Sequence, residues 1–343
     1  MRRLTSLVVA LFASALAAPQ APRLSSGQTD IVRSIGGLPA HIAGAIDDIS
    51  ACHLSPEGDF LIFDRRAHAV YLAAPGADLP RKIVQIGAEP GRILRPSAFD
   101  SAPSNGTFVV ADSPGGHPRF QLFFYTGASL GGFTLPGAEV PQITIGDVVL
   151  SGIGSVRYTG RSLLVSQPQI GALVTEYAVN GDTLRTFGEL RPTGQEKDPD
   201  VHVALNAGIA LPNPEGGYYF VFISGVPMFR KYDAQARLIF ERHVEGVELD
   251  PSVRGLPTTW PKRKVGGDEL PIVPATVRTA GVDPDGNLWI SLTVPYTYVY
   301  DGNGDKKRTM QYAGAGVLAA SGFFFTKNAR VLVTPGCYLF PRS

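Results

Sequence analysis

The sequence lacks the patterns by which many enzymes and membrane proteins are recognised. It contains no Gly-x-Ser-x-Gly, phosphate-loop, His-Glu-x-x-His or EF-hand pattern, and its 6 histidines are scattered without metal-ligand spacing. No stretch predicts a long helix. Charged residues make up only 18% of the 343 residues and the net charge is +1, so no general attraction to nucleic acid or to an anionic membrane is expected. What is present, 44% hydrophobic residues with 39 Gly and 28 Pro, suits a globular fold with many turns.

The stretch from Val277 to Ala313 predicts four short strands joined by tight turns. Asp283 to Gly286 and Asp301 to Gly304 carry the aspartate and glycine that are typical of such turns. The runs between the turns are apolar, aromatic or β-branched, as strands require. The predicted strands are Val277 to Val282, Leu288 to Val294, Tyr296 to Tyr300 and Arg308 to Tyr312. They form one antiparallel meander, whose two apolar faces need neighbours to cover them.

Second strands of the same kind recur along the chain. Successive copies lie 43 to 70 residues apart. A sheet-sized repeat of about this period is typical of a β-propeller, in which the blades stack radially. The six copies begin at Gly58, Gly106, Gly160, Gly216, Gly286 and, more weakly, Ala329. The sequence therefore predicts an all-β fold, a six-bladed β-propeller of four-stranded antiparallel blades.

The second copy shows the repeat most clearly. Pro96 lies at the start of its first strand and Gly106 at the start of its second. The second strand ends in Asp112, and the third begins with Arg119. This order resembles the NHL-type repeat of six-bladed propellers. The position of Asp112 corresponds to Asp64 in the first copy and to Ser166, Ser224 and Thr293 in later copies. The resemblance implies a propeller architecture and carries no activity with it.

The N-terminus has the features of a signal peptide. Two arginines precede an apolar run from Leu4 to Leu16, which is too short to span a membrane, and small residues permit cleavage after Ala17. The next residues are rich in Pro, Ser and Gln and predict a disordered lead-in. The expected division is a signal peptide at 1–17, a lead-in at 18–30 and one propeller domain at 31–343. We expect an exported, periplasmic or secreted monomer without a membrane span in the mature chain.

Closure of the ring is predicted from the incomplete last copy. The C-terminal copy supplies three strands, and then the chain ends. Ile31 to Gly36 has the form of a fourth strand followed by glycine, like Lys82 to Gly87 in the first copy. We therefore expect this N-terminal strand to complete the last blade and so to remove an open edge that would invite aggregation.

The 70-residue interval before Gly286 contains a long linker with an unusual composition. Trp260 is followed closely by three cations, Lys262, Arg263 and Lys264. Linkers between propeller blades cross the face where ligands usually bind, and long loops often carry function. An exposed tryptophan beside cations can hold an anionic or sugar-like ligand by stacking and charge. The alternative is a solvated loop whose tryptophan covers the edge of a blade.

Two functions from different classes remain open, and no catalytic residue can be named. The first is a ligand-binding or protein-interaction scaffold without a cofactor, with an unknown small molecule or protein at the central mouth. The second is a metal-dependent hydrolase or lactonase like the gluconolactonase-like propellers, in which a divalent cation polarises an ester and activates water. Such a cation would need oxygen ligands from side chains at strand ends that face the central mouth. Asp48, Asp112 and Asn206 are the best placed for that role.

The only two cysteines are Cys52 and Cys337. Cys52 falls in the inner strand of the first blade and Cys337 opens the third strand of the last, and these two blades are neighbours in a closed ring. Export permits a disulfide between them. An inner strand and a third strand can lie too far apart for such a bond, so we expect two separate buried thiols, with the disulfide as the alternative.

Overall fold

The computed structural model describes residues 29–135, 142–145, 148–151, 155–265 and 267–342. The predicted signal peptide and most of the lead-in lie outside these residues, whereas Asp30 already belongs to a strand. Within the described ranges, none of the helices is long and apolar enough to cross a membrane.

The first half of the chain holds two N-terminal strands and the first three blades. Before the blades come β1 (Asp30–Arg33), β2 (Gly36–Gly37) and α1 (Ala40–Ala43). The first blade consists of β3 (Ile49–Leu54), β4 (Phe60–Asp64), β5 (Ala69–Ala73) and β6 (Arg81–Val84). The second consists of β7 (Ala98–Ala102), β8 (Thr107–Asp112), β9 (Arg119–Phe124) and β10 (Ser129–Thr134). After β11 (Gln142–Ile145) and β12 (Val148–Ser151), the third blade consists of β13 (Val156–Tyr158), β14 (Ser162–Ser166), β15 (Val174–Ala178) and β16 (Thr183–Phe187). Short 3-10 turns lie at Pro103–Asn105, Pro114–Gly116 and Pro168–Ile170.

The second half completes the ring. After α2 (Pro199–Asn206), the fourth blade consists of β17 (Gly208–Pro212), β18 (Tyr218–Phe222), β19 (Met228–Tyr232) and β20 (Leu238–His243). The next linker holds α3 (Asp250–Arg254), β21 (Lys262–Val265) and β22 (Asp268–Val273). The fifth blade consists of β23 (Val277–Val282), β24 (Leu288–Leu292), β25 (Thr297–Tyr300) and β26 (Lys306–Ala313), to which β27 (Val317–Leu318) adds a short strand. The sixth contains β28 (Gly322–Phe325), β29 (Arg330–Thr334) and β30 (Tyr338–Pro341). The predicted six-bladed propeller is confirmed.

The second strand of each blade is buried at nearly every position, because neighbouring blades cover both of its faces. β4 and β24 are buried at every position and therefore read as continuous apolar runs rather than as an alternating pattern. The outer strands β10 and β20 are mostly exposed and alternate less clearly. Burial thus falls from the inner strands to the outer strand of each blade.

The core consists of separate apolar clusters between neighbouring blades. One cluster packs Phe229 of the fourth blade against Ile290 of the fifth, and another packs Trp289 of the fifth against Phe323 of the sixth. Four further clusters join the remaining pairs, including the first blade to the sixth. Because every neighbouring pair shares such a cluster, the blades form a closed ring.

The N-terminal segment closes the ring, as predicted, and contacts two blades in doing so. Gly36 and Gly37 pair with Leu339 and Tyr338 and supply the fourth strand of the sixth blade. The preceding β1 instead adds in parallel to β26 of the fifth blade. Gly37 has a φ of +143°, and a Cβ at this position would overlap the carbonyl oxygen of Cys337. The prediction of one strand from residue 31 to residue 36 thus becomes two short strands with a bend between them.

Three successive linkers assemble into a small unit beside the ring. β11 and β12 come from the linker after the second blade, and β21 and β22 come from the linker after the fourth. They form one sheet in the order β12-β11-β22-β21, with β11 and β22 parallel. α2, from the linker after the third blade, packs against β11 and β22. We call this sheet together with α2 the accessory unit.

The two cysteines form a disulfide. The Cα atoms of Cys52 and Cys337 are 5.7 Å apart, and both side chains are buried between the first and sixth blades. Cys337 lies in the turn directly before β30 rather than in the strand itself, and this turn lies within reach of the inner strand β3. The structure therefore has the bridge that the sequence left as the alternative, and the expectation of separate thiols is wrong.

Candidate functional site

A cavity of about 270 Å³ opens at the centre of the ring. It lies on the face where the chain passes from the outer strand of one blade to the inner strand of the next, which we call the linker face. All six inner strands contribute lining residues, among them His53, Phe99, Arg157, Ile209, Thr279 and Phe323. We call this space the mouth cavity.

The mouth cavity has a polar rim and a more apolar depth. Its serines stand at or next to the starts of inner strands, at the linker face: Ser50, Ser97, Ser155 and Ser321. Phe63, Phe99 and Phe323 contribute aromatic walls, and the rings of Phe63 and Phe99 stack at 5.2 Å. His53, near the far end of β3, lies deepest.

Three arginines give the mouth cavity a positive charge. They are Arg65, Arg157 and Arg278, and the described residues that line the cavity include no Asp or Glu. The side chains of Arg65 and Arg278 are exposed and form no hydrogen bond or ion pair with the described part of the chain. Their guanidinium groups are therefore free to bind an anion.

Arg157 is held more firmly than the other two. Its Nη2 donates to the carbonyl oxygen of Ala280 at 2.8 Å, and its Nη1 lies 3.7 Å from Oδ1 of Asp100. Its Nε is buried and has no partner in the described residues. Burial raises the pKa of Asp100, although the charge of Arg157 and the N–H of Tyr158 oppose this shift. Asp100 is thus a weak counter-ion, and the N–H groups of Nη1 form no hydrogen bond with the described residues.

His53 closes the inner end of the mouth cavity as a neutral group. Its ring stacks on Phe324 at 4.7 Å, and its Nδ1 shares a hydrogen bond of 2.6 Å with Oγ of Ser101. Burial, with the charge of Arg157 as a smaller cause, lowers the pKa of His53 to about 3. A general base needs a pKa near the working pH, so this histidine and serine do not make an activated nucleophile near neutrality.

The predicted ligand-binding residues of the long linker lie in the accessory unit. Trp260 is half-buried against the apolar cluster around α2, and its Nε1 has no partner among the described residues. Nζ of Lys262 pairs with Asp198, the N-cap of α2, at 2.9 Å. Arg263 is half-buried and Lys264 is exposed. None of these four residues lines the mouth cavity; Ile223 connects them to it, because it lines the cavity and packs on the same cluster.

The structure gives each predicted metal ligand a different set of contacts. Oδ2 of Asp48 accepts from the hydroxyl of Ser50 at 2.6 Å. Both carboxylate oxygens of Asp112 bind Arg119, at 2.8 and 2.9 Å. Asn206 is fully buried, and its Oδ1 accepts from the N–H of Arg191. Among the described residues no group of three or more His, Cys, Asp or Glu is arranged to hold a metal ion.

The acidic position of the repeat has a structural use that explains these contacts of Asp112. In four blades this position binds the linker that leads into the same blade. The pairs are Asp64 with N of Asp47, Asp112 with N of Leu94, Ser224 with O of Ala204, and Thr293 with O of Thr276. The recurrence of this position in the sequence was itself a sign of a structural role.

Sequence reasoning missed the three arginines of the mouth cavity. Arg65 follows β4, Arg157 lies within β13 and Arg278 within β23, so they come from three different blades. Each sits at or near a strand end in its own repeat, and only the closed ring brings them together. Of the predicted site residues, Cys52 alone lines the mouth cavity.

Comparisons with known proteins support the fold. No protein-family model and no curated protein matches the chain. It is similar to a streptogramin B lyase structure, with 10% identity, a TM-score of 0.51 and coverage of 84% of this chain and 76% of that one. It is also similar to a chain of a mitotic checkpoint complex, with 9% identity, a TM-score of 0.50 and 98% of each chain covered. It is also similar to a virginiamycin B lyase from Staphylococcus aureus, with 11% identity, a TM-score of 0.48 and coverage of 84% of this chain and 78% of that one. At these identities the first two similarities show the propeller fold alone.

Proposed function

We propose that this protein is an exported binding protein that holds a small anionic ligand in the mouth cavity. The observation that carries the proposal is the lining itself: three arginines converge on one cavity whose described lining contains no carboxylate. Guanidinium groups bind carboxylate and phosphate oxygens through paired N–H donors. The rim serines add neutral hydrogen-bond donors beside them.

Binding is favoured over catalysis by the chemistry of the groups present. The pKa of His53, at about 3, keeps it neutral near pH 7, so it offers no proton and is a weak base. The candidate cation ligands Asp48, Asp112 and Asn206 are engaged in other hydrogen bonds, so no step of the proposal uses a metal. Export is part of the proposal, supported by the N-terminal sequence and by a buried disulfide of the kind found outside the cytoplasm. The NHL-type assignment also belongs to it, supported by the Asp112–Arg119 pair.

The proposal is tested by anion binding at constant ionic strength. Isothermal titration with sodium acetate and sodium phosphate measures the affinity of the wild type. Arg278→Gln and Arg65→Gln each remove an exposed charge from the rim, and we expect each to weaken binding about three- to tenfold, or roughly 0.7 to 1.4 kcal/mol. Binding should also weaken as salt is raised, because the rim charges are exposed to screening.

Arg330→Gln is the matched control. Arg330 is exposed, lines a cavity on the opposite face of the ring and forms no hydrogen bond or ion pair through its side chain with the described residues. Its replacement should leave anion affinity unchanged. Equal effects of the Arg278 and Arg330 variants, or no anion binding by the wild type, would contradict the proposed function.

A further inference from the structure

The walls below the rim restrict which anion the mouth cavity suits. Phe63, Phe99 and Phe323 line it together with Val156 and Ile209. A phosphate ion would leave these apolar surfaces in contact with water, whereas an apolar group would cover them. The mouth cavity therefore offers arginines to the charged group of the ligand and apolar side chains to the rest of the ligand.

The floor of the mouth cavity is also uncharged. His53 is neutral above about pH 4 because its pKa is lowered to about 3, and its Nδ1 is already hydrogen-bonded to Ser101. Its ring is fixed between Phe99 and Phe324, at 5.2 and 4.7 Å. A flat apolar group that reaches the floor would meet rings there and no second charge.

Arg157 offers a donor to the charged group of the ligand. Its Nη2 donates to the carbonyl oxygen of Ala280, whereas its Nη1 lies 3.7 Å from Oδ1 of Asp100 and forms no hydrogen bond with the described residues. A carboxylate can accept from the N–H groups of Nη1 with one oxygen and leave its second oxygen to the rim. The apolar walls are what favour an anion that carries an apolar body.

We infer that the ligand of the mouth cavity is a small carboxylate with a flat apolar body, bound with its carboxylate at Arg157 and the rim and its body against the aromatic walls. The volume of about 270 Å³ has room for about nine water molecules at roughly 30 Å³ each. Benzoate, with nine non-hydrogen atoms, is a probe of this size. The inference rests on the proposed function and narrows it.

The experiment compares four probes on the full mature chain by isothermal titration at fixed pH and ionic strength: benzoate, acetate, inorganic phosphate and benzyl alcohol. We expect benzoate to bind at least fivefold more tightly than acetate or phosphate, and benzyl alcohol to bind at least tenfold more weakly than benzoate. Ala51→Leu places a larger side chain on the cavity wall, and we expect it to remove most of the difference between benzoate and acetate.

The outcomes separate this inference from the function on which it rests. If acetate or phosphate binds as tightly as benzoate, the inference that the ligand has an apolar body is wrong, whereas the proposed anion-binding function is supported. If benzyl alcohol binds as tightly as benzoate, or if none of the anions binds, both this inference and the proposed anion-binding function are wrong. Because the probe series needs only the wild-type protein, poor folding of the Ala51 variant would leave the comparison decisive.

Discussion

At the scale of single residues, His53 shows how the ring changes the chemistry of a side chain. In the sequence it is one of six histidines without a recognisable pattern. In the structure it is 6% exposed, stacked between aromatic rings, and has a pKa of about 3. Such a group couples folding to protonation, because the unfolded chain binds a proton that the folded chain does not.

We expect His53 to destabilise the protein as the pH falls below about 6.5. The unfolded histidine takes up a proton near pH 6.5 while the folded one does so near pH 3, so stability is full above pH 6.5 and is lost from there toward pH 3. Between pH 7 and pH 5 the wild type should lose about 2 kcal/mol more than His53→Gln, as measured by urea denaturation.

Asp100 affects the pH dependence of stability in both the wild type and the His53→Gln variant, and its effect is opposite in sign to that of His53. Its raised pKa means that the folded chain binds a proton before the unfolded chain does, so this carboxyl adds stability as the pH falls. The comparison of wild type with variant therefore isolates the histidine. Parallel stability curves over this pH range would show that His53 is protonated in the folded protein.

At the scale of elements, the accessory unit explains why the long linker has its composition. Trp260 covers an apolar cluster that includes Val201, Leu205 and Val273, and Lys262 pairs with the N-cap residue of α2. These contacts connect the linkers after the third and fourth blades. The role of this linker in ligand binding stays a prediction, since Trp260 and Lys262 contact the accessory unit and do not line the mouth cavity.

We expect Trp260→Ala to lower stability and to leave anion affinity unchanged. Loss of a half-buried indole from an apolar cluster should cost about 1 to 3 kcal/mol, measured by urea denaturation. Lys262→Ala should cost less stability than Trp260→Ala, because its ion pair with Asp198 is partly exposed. Exposed Lys264→Ala is the control. A Trp260 variant that is fully stable but binds acetate tenfold more weakly would place Trp260 in the ligand site instead.

At the scale of the whole molecule, two devices close the ring between its first and last blades. β2 supplies the outer strand of the sixth blade, and the disulfide joins the sixth blade to the inner strand of the first. Both act at the same junction, where the two ends of the repeat array meet. Each can be removed without touching the mouth-cavity arginines.

Removal of the N-terminal strands should destabilise the ring. A chain that begins at Leu38 lacks β1 and β2, whereas a chain that begins at Thr29 retains them. We expect the shorter chain to melt about 5 to 10 °C lower and to aggregate, because β26 and β30 lose partners and expose edges. Gly37→Ala should shift the melting temperature in the same direction, with Gly76→Ala, at an open site, as control. Equal melting of the two chains would reject this closure.

The disulfide should be detectable and stabilising. Thiol titration of the denatured, non-reduced protein should find no free thiol, since Cys52 and Cys337 are bonded to each other and are the only cysteines. The chain-entropy model gives about 5 kcal/mol as an upper limit for so long a loop. Reductant should therefore lower the melting temperature of the wild type and leave that of a Cys52→Ser/Cys337→Ser variant unchanged. Two titratable thiols per chain would contradict the bond.

The sequence by itself determined the repeat and the strands within it. Turn residues such as Gly106 and Gly286 mark the starts of second strands, and the apolar runs after them are long enough to be recognised locally. Val277 to Val282 was predicted with the same bounds as β23. The position of Asp112 was visible because it recurs, although its structural use was not. These signals are local, so neighbouring residues are sufficient to encode them.

Only the tertiary structure decided the site and the junction. Arg65, Arg157 and Arg278 are more than 90 residues apart in successive pairs, and they meet because each lies in a different blade at the side that faces the central axis of the ring. The approach of Cys52 to Cys337 depended in the same way on a turn position in a neighbouring blade. Radial stacking brings equivalent positions of distant repeats to one axis, and no local pattern records which side chains will face it.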